Sequence, residues 1–153
     1  MKLLLSKSSL LATLLLVALL GAPAQAGVSC HLINAKGAGK DLGFGNTAAD
    51  VMGGGLLQGT LAGSITVTGP PVSGLVPFME TVTFTNPRGS LTILVTGAID
   101  VATGHFNASG PVTAGTGKLA GATGNISLSG IVNFASAIFT EDISGLICVD
   151  LAP

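Results

Sequence analysis

Residues 114–134 read Ala114-Gly-Thr-Gly-Lys-Leu-Ala-Gly-Ala-Thr-Gly124 and then Asn125-Ile-Ser-Leu-Ser-Gly-Ile-Val-Asn-Phe134. The first half is punctuated by glycines, which is typical of a turn because glycine adopts backbone conformations that other residues avoid. The second half alternates apolar and polar side chains with a period of two, which indicates a strand with one buried face. The stretch therefore predicts a structural turn, with Gly115, Gly117, Gly121 and Gly124, that leads directly into a strand.

The same alternation recurs on both sides of this stretch. Five further segments each place their apolar residues on one face: Ile65 and Val67; Phe78, Val82 and Phe84; Leu91, Ile93, Val95 and Ile99; Phe106, Ala108 and Val112; and Phe139, Ile143, Ile147 and Val149. Turns are predicted at 86–89 and 100–104, and the Gly-rich residues 33–54 are interpreted as a loop or a short first strand. We expect an all-β fold, a closed antiparallel β-barrel of about eight strands, with a β-sandwich as the alternative.

The glycine-rich turn and its strand resemble the "GTGKFAGATG, then strand" signature of the allene oxide cyclase-like and dirigent-like β-barrel superfamily, especially its small secreted bacterial members. The resemblance covers about residues 90–148 and is strongest over 114–134. It implies that Leu119 plugs one barrel end, where the family commonly has Phe. Characterised relatives cyclise oxylipins or polyketides or guide phenoxy-radical coupling, and dirigent-like relatives are often trimers, so a homo-oligomer is one implied partner. The matched turn is structural, so it carries over no catalytic residue.

The first 26 residues have the pattern of a secretory signal peptide. Lys2 and Lys7 precede an apolar run over 10–20, and Ala24-Gln25-Ala26 is a small-x-small cleavage site. The apolar run is short for a membrane span, which needs about 20 residues, and an uncleaved anchor is the alternative. We therefore expect cleavage after Ala26, a single domain over 27–153, no membrane span after cleavage, and a secreted or periplasmic location.

Cys30 and Cys148 are the two cysteines of the chain. In an oxidising compartment an even pair predicts a disulfide, which would tie the first strand of a closed barrel to the last. Two buried free thiols are the alternative. The spacing fits no zinc site, because only His31 and His105 could complete one, and no metal site is predicted.

The composition argues against several function classes. Residues 27–153 contain four basic and seven acidic residues, a net charge of −3, and the chain has no Tyr and no Trp. A chain without a basic stripe or a stacking platform is not expected to bind nucleic acid. Gly115-x-Gly117-x-x-Ala120 matches the dinucleotide fingerprint on paper, but that fingerprint opens a helix and this stretch opens a strand. We therefore expect no cofactor.

Two carboxylates stand in phase with apolar strand faces. Glu80 shares the face of Phe78, and Glu141 shares the face of Phe139. A carboxylate on such a face is costly unless it is paired, protonated or at the mouth of a cavity. Inside a barrel each could have a raised pKa and act as a general acid or base, so Glu80 and Glu141 are the candidate catalytic residues. The alternative places both at strand ends, solvated at the rim.

Two function classes follow from these observations. The first is an exported binding or structural protein that holds a small apolar ligand or acts at the envelope, which the scarcity of charged and catalytic residue types favours. The second is a cofactor-independent cyclase or isomerase acting on an apolar substrate inside the barrel, as the superfamily resemblance allows. Confinement in a shaped cavity does much of the work in such a reaction. A filled interior would support the first class, and an open cavity that contains Glu80 or Glu141 would support chemistry.

Overall fold

The computed structural model describes residues 27–151 as an eight-stranded sheet. Its strands are β1 (Ser29–Gly43), β2 (Asn46–Gly53), β3 (Gly59–Val67), β4 (Leu75–Asn86), β5 (Gly89–Asp100), β6 (His105–Gly115), β7 (Thr123–Asn133) and β8 (Ile138–Val149). Each strand pairs antiparallel with the next, and β8 pairs with β1, so the sheet closes into a barrel. The expectation of a closed all-β barrel is confirmed, and the sandwich alternative is wrong. The predicted signal peptide lies outside the described residues.

The period-two alternation decides which side chains fill the barrel. Along a strand, successive side chains point to opposite faces, so the apolar half of each pattern turns inward together. The largest fully buried side chains are Phe84, Leu57, Leu91, Ile93, Leu119, Ile126, Ile143, Ile147, Val82, Val95 and Val149. They form one contiguous core, which is the main apolar contribution to the stability of the fold.

The interpretation of residues 33–54 as a loop or a short first strand is wrong. These residues form most of β1 and all of β2, two paired strands joined by a tight turn at Phe44 and Gly45. Their buried residues include Ala35 and Ala49, and Gly37 and Gly39 face the interior beside side chains of β8. Small residues give almost no hydrophobic pattern, so the alternation was present but weak.

The two ends of the barrel differ. At one end, the closed end, Leu56 and Leu57 of the β2–β3 connection and Leu119 and Ala122 of the β6–β7 connection are buried. At the other end, the mouth, the connections β1–β2, β3–β4, β5–β6 and β7–β8 surround an opening. The antiparallel topology makes this division inevitable, because alternate connections lie at opposite ends.

The glycine-rich stretch over residues 114–124 lies at the closed end. Gly115 ends β6, Gly117 begins a short 3-10 turn over Gly117–Leu119, and Gly124 lies within β7. Gly117 has a φ of 58°, and a side chain there would meet the carbonyl oxygen of Arg88. The Lys118 backbone N–H donates to that same carbonyl at 2.7 Å, which fastens the turn to the β4–β5 hairpin. Leu119 is thereby held over the core, in the position that the superfamily resemblance implied for a plug.

The predicted disulfide between Cys30 and Cys148 is present. The two residues are direct register partners on β1 and β8, so the bond lies across the seam that closes the barrel. Disulfides form and persist in oxidising environments, so the bond indicates an extracellular or periplasmic setting. Within residues 27–151 the structure has no helix of the length and hydropathy that a bilayer crossing requires.

Candidate functional site

A cavity of about 130 Å³ opens at the mouth of the barrel. Its wall contains four polar side chains, those of Asp41, Thr47, Glu80 and Glu141, and is otherwise apolar. The apolar part includes the rings of Phe78, Phe106, Phe134 and Phe139. A concave apolar site with a few convergent polar groups is the usual form of a small-molecule site.

Glu80 lies in the middle of β4 and points into this cavity. Its side chain is only 8% exposed, and its Oε1 accepts a hydrogen bond of 3.0 Å from the hydroxyl of Thr47 on β2. Burial raises the pKa of Glu80 because it disfavours the charged form, and the Thr47 hydrogen bond opposes this rise. The pKa of Glu80 is raised overall, so this carboxyl group ionises less readily than an exposed glutamate.

Glu141 lies near the start of β8 and points into the same cavity. It is 6% exposed, and its Oε1 is buried without a hydrogen-bond partner among the described residues. The pKa of Glu141 is raised to about 7, mainly by burial and to a smaller extent by the charge of Glu80. Glu141 therefore exchanges its proton near neutral pH, which is the range in which a general acid or base works best.

The two carboxyl groups approach the cavity from opposite sides of the barrel. β4 and β8 are four strands apart in either direction around the eight-stranded sheet. Alternation along each strand turns Glu80 and Glu141 inward with their apolar neighbours, so both face one apolar space. Their charges interact, as the effect of Glu80 on the pKa of Glu141 shows. A negative charge on Glu80 therefore favours the protonated form of Glu141.

Two inward-facing glycines leave the space that these carboxyl groups occupy. A Cβ atom on Gly37 of β1 would lie 2.6 Å from Oε1 of Glu141. A Cβ atom on Gly63 of β3 would collide with Oε1 of Glu80 and with the Thr47 hydroxyl. Contacts this close do not occur between real side chains, so alanine at either position would displace the carboxyl group that it faces.

The structure brings together the two catalytic candidates that the sequence named. The alternative in which Glu80 and Glu141 lie solvated at strand ends is wrong, because both are buried within their strands. Thr47, Gly37 and Gly63 were not predicted to belong to the site. Thr47 and Gly37 lie on β2 and β1, whose apolar patterns are weak, and Gly63 on β3 has no side chain to reveal its inward direction. The signal that could have found them is the register of a closed barrel, which pairs Gly37 with Glu141 and Thr47 with Gly63.

The arrangement is suited to moving protons on a bound molecule. Within residues 27–151 no three His, Cys, Asp or Glu side chains are grouped as metal ligands would be. Two carboxyl groups with different hydrogen-bonding environments can divide the roles of acid and base between them.

No protein-family model, curated protein or solved structure matches this chain.

Proposed function

We propose that this protein is a cofactor-independent isomerase or cyclase that binds a small apolar molecule in the mouth cavity and rearranges it by proton transfer. The observation that carries the proposal is the pair of buried carboxyl groups, Glu80 and Glu141, on opposite sides of one apolar cavity. A purely structural barrel has no use for two buried carboxyl groups, whose desolvation costs stability.

The size of the cavity limits what it encloses. Its volume of about 130 Å³ is close to that of an engineered apolar cavity of about 150 Å³ that holds benzene. The enclosed part of the substrate is therefore about one six-membered ring, or an equivalent piece of a longer molecule whose remainder extends from the mouth. Its polar group must be able to meet a carboxyl group, because the rest of the wall offers apolar contact.

The hydrogen bonding assigns the two roles. Thr47 donates to Glu80 and so favours its ionised form. Oε1 of Glu141 has no hydrogen-bond partner within residues 27–151, and Glu141 holds its proton to about pH 7. Glu80 is therefore the base that removes a proton from carbon next to a carbonyl group. Glu141 is the acid that donates to the carbonyl oxygen as negative charge develops there. Glu80 then returns its proton at a second carbon and Glu141 recovers its own, so the reaction is a rearrangement with no net gain or loss.

Two further observations support this proposal. The resemblance of residues 114–134 to allene oxide cyclase-like barrels points to a superfamily in which small barrels cyclise reactive molecules without metals. The signal-peptide pattern of residues 1–26, together with the disulfide, supports action outside the cytoplasm, after secretion or in a periplasm.

A small β,γ-unsaturated ketone tests the proposed chemistry. Cyclohex-3-enone matches the enclosed volume, and its conversion to the conjugated cyclohex-2-enone is a proton transfer that ultraviolet absorbance follows directly. We expect the protein to accelerate this conversion, with a rate that falls as the pH rises above about 7 and Glu141 loses its proton. Glu80→Gln and Glu141→Gln should each reduce the rate by about a hundredfold or more, the usual contribution of one general acid or base.

Asp142→Asn is the matched control. Asp142 is the neighbour of Glu141 on β8, but it faces outward, is exposed, and forms an ion pair with Lys36. The control variant should keep the wild-type rate. An equal loss in all three variants, or a rate in the two Gln variants that matches wild type, would count against the proposal.

A second candidate function is ligand carriage without chemistry. The cavity wall continues onto exposed apolar side chains at the mouth, which suits uptake and release of an apolar molecule. A carrier would bind the conjugated ketone and its unconjugated isomer without converting either. Binding that survives in Glu80→Gln and Glu141→Gln, with no turnover in wild type, would favour this candidate.

A further inference from the structure

Eight large apolar side chains are exposed around the opening of the cavity, and we refer to them as the mouth rim. They are Leu42, Phe44, Val67, Val72, Leu75, Val101, Phe134 and Ile138, with exposed fractions from 47% to 106%. They come from all four connections at this end of the barrel and from the strand ends beside them. Single exposed apolar residues are ordinary, but eight of them around one opening indicate an interaction surface.

Phe44 is the most exposed member of the mouth rim. It lies at the apex of the β1–β2 turn with a φ of 54°, a left-handed conformation in which Gly, Asn and Asp are the favoured residues. The residues around it in the structure do not cover its ring, which is fully exposed. A fully exposed phenyl ring contributes no burial to the stability of the fold. We therefore expect it to be buried by something that covers the mouth.

The mouth rim and the cavity wall form one continuous apolar surface. Val67 and Phe134 belong to both, because they line the cavity while more than half of each side chain is exposed. Whatever covers the mouth rim is therefore in direct contact with the interior of the cavity. An apolar molecule that crosses the mouth would pass from that covering phase to the cavity without entering water.

The charge around the mouth rim points to an uncharged partner. Residues 40–46, 67–75, 100–105 and 133–138 contain one basic residue, Lys40, which is the register partner of the rim residue Ile138. Their two carboxylates, Asp41 and Asp100, each accept a backbone N–H of their own turn at 2.8 Å, from Gly43 and Ala102. The surface thus lacks the cluster of basic residues that attracts anionic lipid or nucleic acid. Its single lysine is outnumbered by two carboxylates, both of which accept hydrogen bonds within their own turns.

The shape of the mouth rim distinguishes a bilayer from a second copy of the chain. The rim is a ring of separate turn tips around a hollow, and an identical ring opposed to it would leave both hollows unfilled. The acyl chains of a bilayer are deformable and fill such a hollow. Amphipathic surfaces of this kind bury their apolar side in the headgroup and acyl boundary.

We infer that the mouth rim docks on the surface of an electrically neutral phospholipid bilayer, with Phe44 inserted and the cavity open toward the hydrocarbon. The inference goes beyond the proposed proton transfer and does not use the carboxyl pair. Glu80→Gln and Glu141→Gln are expected to bind vesicles as wild type does, because both side chains are buried beneath the rim.

Flotation of the full chain with vesicles of pure phosphatidylcholine tests the inference. The rim variant combines Leu42→Gln, Phe44→Asn and Val101→Gln, three positions that do not line the cavity. The matched wall variant combines Leu32→Gln, Met52→Gln and Leu146→Gln, which are also exposed apolar residues but lie on the side of the barrel. Residues 1–26 are the same in every protein, so their contribution cancels.

We expect the rim variant to lose about tenfold or more in vesicle partitioning, since each apolar side chain removed takes away its burial in the bilayer. The wall variant should stay within about twofold of wild type. Circular dichroism should show that all three proteins are folded. Replacing about a third of the lipid by phosphatidylglycerol should not increase binding, because the mouth has one basic residue, Lys40, against the two carboxylates Asp41 and Asp100.

Four results would overturn the inference. They are a wild-type chain that does not float, a rim variant that floats like wild type, equal losses in the rim and wall variants, and binding that depends on anionic lipid. Light scattering adds a separate outcome. Wild type could form a dimer that the rim substitutions disrupt, with no vesicle binding by either protein. That result would assign the mouth rim to contact between two copies of the chain and would overturn the inference of bilayer docking.

Discussion

At the scale of the residue, one hydrogen bond separates two otherwise similar glutamates. Glu80 and Glu141 are both buried in the same apolar cavity, but the Thr47 hydroxyl supports the carboxylate form of Glu80 alone. Because Glu80 repels a second negative charge, it helps to keep Glu141 protonated up to about pH 7. In the proposed mechanism, this single threonine therefore distinguishes the base, Glu80, from the acid, Glu141.

The raised pKa of Glu141 makes a prediction about stability and pH. The folded protein holds this proton up to about pH 7, whereas the unfolded chain releases it near the ordinary value of 4.5. Between these two values the folded state binds more protons, so the free energy of unfolding falls as the pH rises and levels off above about 7. The shift corresponds to about 3 kcal/mol. We expect Glu141→Gln, which cannot ionise, to be more stable than wild type by up to this amount at about pH 8.

Urea unfolding of wild type and Glu141→Gln from about pH 4 to about pH 8 checks this expectation. The two proteins should have similar stability at the acidic end and diverge as the pH rises. Asp142→Asn should follow the wild-type curve, because Asp142 is exposed beside Lys36. Parallel wild-type and Glu141→Gln curves across the whole range would show that Glu141 does not change its charge there.

At the scale of the element, sequence periodicity predicted the strands that carry large apolar residues and failed for β1 and β2. The faces assigned to β4 and β5 match the buried residues, because Phe, Val, Leu and Ile make the alternation visible. β1 and β2 turn small residues inward because larger side chains of the neighbouring strands fill the space. A Cβ atom on Gly39 would lie 2.7 Å from the ring of Phe139. Their faces are set by neighbours distant in sequence, which a local pattern does not contain.

The candidate site was predictable in the same uneven way. The phase of Glu80 and Glu141 with apolar neighbours identified both residues and the inward direction of their side chains. Their depth in the barrel could not be predicted, since it depends on where each strand begins relative to its partners. The role of Thr47 also required the closed register, because its strand was interpreted as part of a loop or short strand.

Leu119 provides a prediction for the element that closes one end. It is the buried residue of the 3-10 turn, fully removed from solvent against the core. Leu119→Ala should lower the free energy of unfolding by about 2–5 kcal/mol, the cost of losing the buried side chain and leaving a cavity. Leu146→Ala, at a partly exposed wall position, should cost less than about 1 kcal/mol. Chemical denaturation measures both, and a loss for Leu119→Ala no larger than for Leu146→Ala would show that the turn is dispensable as a plug.

At the scale of the whole molecule, closure of the barrel depends on the seam between β1 and β8. The seam joins the first strand to the last along twelve residue pairs from Ser29↔Val149 to Lys40↔Ile138. The contact between chain ends is expensive in conformational entropy, since almost the whole domain lies between them. The Cys30–Cys148 bond reduces this cost because it keeps the two ends together in the unfolded chain.

Removal of the disulfide is therefore expected to be costly. The bond spans a sequence separation of 118, for which the chain-entropy relation gives about 4–5 kcal/mol. We expect the double variant Cys30→Ser/Cys148→Ser to lose about this much stability in urea unfolding relative to the oxidised wild type. Wild type treated with a thiol reductant should match the variant. A loss of less than about 1 kcal/mol would mean that the hydrogen-bonded seam closes the barrel unaided.

Because one end of the barrel is plugged, the cavity is open at the mouth and closed below. Leu57 and Leu119 are fully buried at the closed end, so a ligand would enter and leave by the mouth. In the proposed reaction, substrate and product share this opening. A product that binds tightly to the apolar wall therefore delays binding of the next substrate. In the proposed reaction, product release through the mouth would therefore limit the rate, and product bound at the end of one cycle would stay with the protein until it is released.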